Sequence, residues 1–137
     1  MFLFFFIKIL LITSHRDQTS WIVPGGGIEP NETTNQAAHR ELYEEAGVKG
    51  RIIRELGVFE NHDRKHRTTV FVVHVEQEYE DWEDKRLINR QRHWYPLDEA
   101  ISILRRSKPS QIIFLEEFIK TSPTKIKFNY QLTSTKH

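Results

Sequence analysis

Apolar residues run without a break from Ile9 to Ile12 in KILLIT, and this predicts a buried strand over Lys8–Thr13 leading into Ser14-His15-Arg16. Trp21-Ile22-Val23-Pro24 reads as a short extended segment. Arg51 to Glu60 and Thr68 to Gln77 read as strands, the second from its β-branched and aromatic run Thr69-Val70-Phe71-Val72-Val73, with a polar turn, Asn61 to Arg67, between them. Gln91 to Tyr95 is a further short strand. The period changes to a helical one in three places. Ala38, Leu42 and Ala46 form one stripe. Ala100, Ile101 and Leu104 do so within Leu97–Arg105, and Ile112, Leu115, Phe118 and Ile119 within Ser110–Lys120. After Pro123 the pattern dissolves, and residues 122–137 are expected to be a mobile tail. One domain over residues 8–121 follows, of class α/β, with helices on both faces of a mixed sheet.

The first helix is marked at both ends. Thr33 with Gln36 reads as a capping box and Gly47 as a left-handed stop, so the helix should run from about Thr34 to Ala46. Glu41, Glu44 and Glu45 lie beside its apolar stripe. Like charges at these spacings repel, and a divalent metal is an economical counter-charge. Arg40, four residues before Glu44, can pair with it. Taken alone, ELYEE would be a solvated acidic face. The glycines ahead of it, Gly25, Gly26 and Gly27, add a second signal, because missing side chains let backbone groups approach a metal or a phosphate.

The spacing joins these features into one pattern. Gly26, five residues, Glu32, seven residues, then Arg40-Glu41-Leu42-Tyr43-Glu44-Glu45-Ala46-Gly47-Val48 matches the Nudix box at every fixed position. The chain therefore resembles the Nudix hydrolases. The resemblance implies an α/β/α sandwich in which a loop-helix-loop and C-terminal helices pack on a mixed sheet. It also implies magnesium, or manganese, held by Glu41, Glu45 and the carbonyl of Gly25. Glu44 would be the base that activates water, with Arg40 beside it in the catalytic set.

Outside the box, WIVPGGGIEP, EEAGVKG, FENHDRKHRT, EDWED and Lys108-Pro109 are similar to the diphosphoinositol polyphosphate phosphohydrolase subfamily. This implies that Ser14, His15, Arg16, the glycines Gly25, Gly26 and Gly27, the loop Arg64-Lys65-His66, Arg90 and Lys108 contact substrate. The physical reading of the cations agrees: Arg forks phosphate, Lys acts as a point charge, and several converging on one cleft suit a ligand with many phosphates. Lys108 also precedes Pro109 at an expected helix start. Arg92, Arg105 and Arg106 read as solvated surface cations, and Trp82 and Trp94 as structural. The subfamily carries an earlier basic strand that contacts substrate and has no counterpart in MFLFFFI, so residues 1–7 are set apart from the domain and the sheet is expected to lack a strand at one edge.

Composition narrows the alternatives. The 137 residues are 38% hydrophobic and 28% charged, enough for one core, and contain no cysteine, which excludes a disulfide framework. MFLFFFIKILLI lacks the basic start and cleavage site of a secretory leader and is shorter than the ~20 residues of a membrane helix. A net charge of +1 and the lack of interleaved stacking aromatics argue against a nucleic-acid partner. The expected activity is metal-dependent hydrolysis of phosphoanhydride bonds in diphosphoinositol polyphosphates and in diadenosine polyphosphates. The expected form is a monomer in the cytoplasm or nucleus, with a small polyphosphate as its partner and no membrane contact. The alternatives are an RNA-cap or nucleoside-diphosphate-linked pyrophosphatase, and a Nudix-fold protein that binds inositol phosphates without turnover.

Overall fold

A computed structural model of the chain describes residues 7–61, 65–122 and 130–136. The strands are β1 (Lys8–Thr13), β2 (Trp21–Ile22), β3 (Gly25–Gly27), β4 (Val48–Asn61), β5 (His66–Glu78), β6 (Arg92–Pro96) and β7 (Tyr130–Lys136). The helices are α1 (Thr34–Glu41), which runs on into a π turn at Leu42–Ala46, α2 (Glu83–Ile88), α3 (Leu97–Ser107) and α4 (Ile112–Thr121). One sheet has the order β2-β1-β6 and is antiparallel; the other has the order β3-β7-β5-β4, with only β3 and β7 parallel.

The unbroken apolar run of β1 is explained by burial on both faces. Ile9 and Leu11 join a core with Val70 and Val72 of β5, Leu132 of β7 and the apolar faces of α3 and α4. Leu10 and Ile12 join a second core with Phe71 and Val73 of β5 and with Ala38, Leu42 and Ala46. Alternate residues of one strand thus serve two layers, as a pleated strand covered by helices on both sides requires. The expected α/β sandwich is the observed one.

The expected tail is not a tail over Tyr130–Lys136. These residues form β7, hydrogen-bonded to β3 on one side and to β5 on the other, with Leu132 fully buried. β7 lies between two strands, so it is not the edge strand expected to be missing. Gln131, also fully buried, joins the two sheets: its Oε1 accepts the Leu10 N–H at 2.8 Å, and its amide nitrogen donates to the Leu132 carbonyl. The side chain supplies a partner for a buried β1 amide, which would otherwise cost about 1–3 kcal/mol unpaired. At the front, residues 1–6 lie outside the described residues. Ile7, which had been set apart with them, is buried in the first core, and its carbonyl accepts the Leu97 N–H at 3.0 Å. The helix expected from Ser110 starts at Ile112, after a 3₁₀ turn at Pro109–Gln111.

Candidate functional site

The acidic helix is held at both ends by its own sequence. Thr33 Oγ1 accepts the Gln36 N–H at 3.1 Å and Gln36 Oε1 accepts the Thr33 N–H at 2.9 Å, closing the capping box. At the other end Gly47 turns left-handed (φ 65°), and an added Cβ would lie 2.8 Å from the Trp82 ring. Arg92 is not the solvated cation expected. Its Nη1 donates to the Ala46 and Gly47 carbonyls at 2.8 and 3.1 Å, and its guanidinium lies 4.3 Å from the centre of the Trp82 ring. A cation thereby satisfies the carbonyls at the negative end of the helix, although burial lowers its pKa. Arg105 and Arg106 are exposed, as expected.

Between these ends the three glutamates differ in setting. Glu41 and Glu45 side chains are 11% and 15% exposed, whereas Glu44 is 35% exposed. Glu45 is fixed by the Gly25 N–H, 2.7 Å from Oε1, and by Arg90 Nη1, 3.0 Å from Oε2. The Glu41 carboxylate lies against Gly26, where a Cβ would come within 2.6 Å of its oxygen. Burial, and then the charge of Glu41, push the Glu45 carboxyl up to about 7, against the pull of Arg90 and the Gly25 amide. Burial also raises Glu41 and Glu44, with Arg40 opposing in each case.

This donor set fits a hard divalent cation. Two carboxylates, both raised in pKa first by burial and against the pull of Arg40 and Arg90, lie against a glycine backbone with no side chain to crowd them. Among the described residues no group of three or more His, Asp or Glu converges as a complete cage. One or two carboxylates, completed by water and substrate phosphate, are the usual magnesium environment.

Arg40 ties the loop to the helix. It holds Glu32 through Nε at 2.7 Å and Nη2 at 3.0 Å, and it reaches the Gly27 carbonyl at 2.8 Å, Glu41 at 2.8 Å and Glu44 at 3.3 Å. These partners give Arg40 a positioning role. They also show what Glu32 does, a box position to which the sequence assigned no task. Arg90, expected to contact substrate, is 5% exposed and bonded to Glu45 and, at 2.9 Å, to Asp84, so in this structure it braces the acidic site.

The remaining candidate cations fall in two places. Ser14, His15 and Arg16 begin a loop closed by Asp17, whose carboxylate accepts from Thr19 N (3.0 Å), Thr19 Oγ1 (2.6 Å) and Ser20 Oγ (2.9 Å). These bonds, the Thr19 hydroxyl first, lower the Asp17 pKa. His15 and Arg16 are exposed there, and His15 is close enough to Asp84 to act on its charge. His66 and Lys108 line a cavity of about 680 Å³ together with Asn61, Thr68, Gln111 and Lys136. Among the described residues, buried His66 Nδ1 has no hydrogen-bond partner. Lys65 stands exposed beside His66 in a left-handed conformation (φ 54°), and Arg64 lies outside the described residues. The cavity adjoins the glycine strand, because Ser134 lines it and donates its N–H to the Pro24 carbonyl at 3.1 Å. Asp84 and Lys136 were not anticipated. Asp84 could have been weighed from the acidic EDWED run, whereas nothing near Lys136 in the sequence marks it.

Comparison with known proteins agrees with this geometry. The NUDIX domain family matches residues 7–118. Over 118 residues, 85% of this chain and 66% of the relative, the chain is 51% identical to diphosphoinositol polyphosphate phosphohydrolase 2 of Rattus norvegicus. It is 52% identical to the protein of that name from Homo sapiens over 110 residues, 80% of this chain and 61% of the relative. It is also 52% identical to diphosphoinositol polyphosphate phosphohydrolase 3-alpha of Mus musculus over 119 residues, 85% and 73% of the two chains. The chain thus spans between 61% and 73% of the length of these relatives. With its box intact and its residues 7–118 matched, the chain belongs to the NUDIX domain family.

Proposed function

We propose that this chain hydrolyses a phosphoanhydride bond in diphosphoinositol polyphosphates, and in diadenosine polyphosphates, using magnesium or manganese. The observation that carries the reading is the division among the glutamates: two are buried and pinned against Gly25 and Gly26, and a third is more open one turn away. The names of the relatives support the choice of substrate. So does the cavity containing His66 and Lys108 beside the glycine strand.

Glu41, Glu45 and the Gly25 carbonyl would hold the cation, which when bound offsets charge on the phosphoryl oxygens and acidifies water. Glu44, the most exposed of the three, accepts a proton from the attacking water; the water oxygen bonds to phosphorus as the bridging P–O bond breaks. Arg40 keeps Glu44 and Glu41 at fixed separation from the loop. Lys65, His66 and Lys108 bind the phosphates that do not react, and Ser14, His15 and Arg16 reach them from the loop after β1.

Phosphate release from a diphosphoinositol polyphosphate, with and without magnesium, tests the reading. Glu44→Gln should lower turnover by about 100-fold or more while leaving metal affinity nearly unchanged. Near wild-type turnover in that variant, or no release by the wild type, would overturn it.

A further inference from the structure

The cavity beside the glycine strand is the polar end of the first core layer. Along β5, Val72 and Val70 face the core, and Thr68 and His66, on the same face, line the cavity. Along β7 the same alternation runs from Leu132 in the core to Ser134 and Lys136 at the cavity. The register sets Lys136 opposite Thr68 on one side and Gly27 on the other. Lys108 enters from the turn before α4, and Glu60 is the one carboxylate among the lining residues described.

We infer that Lys136 is a substrate-positioning cation of this pocket, forming with His66 and Lys108 a three-sided cradle for a ligand with several phosphates. The inference rests on the proposed hydrolysis of inositol polyphosphates and adds a residue to which no substrate contact had been assigned. Three lines of argument support it. The register fixes the backbone of Lys136 at the cavity through bonds to two strands, so a ligand has only its side chain to order. Two cationic side chains and His66, whose Nδ1 is buried without a partner, converge on a space large enough for a ring carrying phosphates. Gly27, the strand neighbour of Lys136, gives its carbonyl to Arg40, so the same strand pair runs from cavity to acidic helix.

The test titrates the full chain with inositol hexakisphosphate and follows phosphate release from a diphosphoinositol polyphosphate, for wild type, Lys136→Ala and Lys136→Arg. Lys136→Ala should weaken inositol hexakisphosphate binding and raise KM by about 10-fold, with kcat and Tm unchanged and a shallower dependence of binding on salt. Lys136→Arg, which keeps the charge, should stay within about twofold of wild type. If the wild type is active and Lys136→Ala binds as tightly as it does, the inference fails and the proposed function stands. If the alanine and arginine variants lose binding equally, Lys136 acts through the strand and the inference is overturned. A wild type that neither binds nor hydrolyses overturns both.

Discussion

Replacing Arg90 with Met removes a buried cation from behind the acidic site while keeping a side chain of similar length. Arg90 bonds to Glu45 at 3.0 Å and Asp84 at 2.9 Å, and the change strands two carboxylates that are 15% and 21% exposed. Breaking a buried pair costs about 3–5 kcal/mol. The low end applies, because the carboxylates retain some solvent and because Arg90 Nε is itself buried with no partner among the described residues, a cost the substitution relieves. About 3 kcal/mol at pH 8 corresponds to a fall of about 10 °C in Tm for a chain of this size. The loss should depend on pH in a defined sense. From the ordinary 4.5 to about 7 the folded protein keeps a proton on Glu45 that the unfolded chain has released, so metal-free stability falls as pH rises through that window. Without Arg90 the Glu45 carboxyl rises further and the fall continues above pH 7. The variant should therefore differ from wild type less at pH 6 than at pH 8, and saturating magnesium should narrow the difference at pH 8 by supplying the missing positive charge. Thermal unfolding at both pH values, in chelator and in magnesium, measures this. Equal Tm shifts in all four conditions, or a shift under about 2 °C at pH 8, would refute the argument.

Magnesium affinity should rise by about tenfold per pH unit below pH 7 and level off above it, because binding displaces one proton from Glu45; calorimetry in buffers of different ionisation enthalpy would count that proton. Gly26→Ala, whose Cβ would sit 2.6 to 2.8 Å from the Glu41 carboxylate atoms, should abolish turnover while circular dichroism shows the fold retained. Leu132→Ala, a substitution a loose tail would tolerate, should cost about 2–5 kcal/mol in denaturant unfolding.

Local chemistry was legible wherever one residue type serves one purpose. Thr33, Gln36 and Gly47 mark the ends of the acidic helix by bonds within a turn, and the Ile9–Ile12 run marks a strand covered on both faces. The charges were harder to place. Arg90 and Arg92 look alike in the sequence, two residues apart, yet one braces Glu45 and the other caps the helix they both serve. Only the fold says which carboxylate or carbonyl each one meets. β7 was illegible for a different reason. In QLTSTK only Leu132 is apolar, and burial of Gln131, Thr133, Ser134 and Thr135 is made possible by backbone pairing on both sides, which no periodicity of side chains records. α2 escaped because its six residues bury none of their side chains.

The position of β7 also sets when the glycine strand can be paired during synthesis. Within its sheet, β3 has β7 as its neighbour among the described residues, and Gly25 pairs with Ser134. At ordinary translation rates Ser134 is made about 5 to 20 seconds after Gly25. Throughout that interval the glycine strand lacks its β7 partner, and once β5 has been made so does the edge of β5 that pairs with β7. Pairings so distant along the chain are slow to form even when both segments are present. A nascent chain therefore carries every residue of the acidic helix well before it carries the strand that pairs with Gly25.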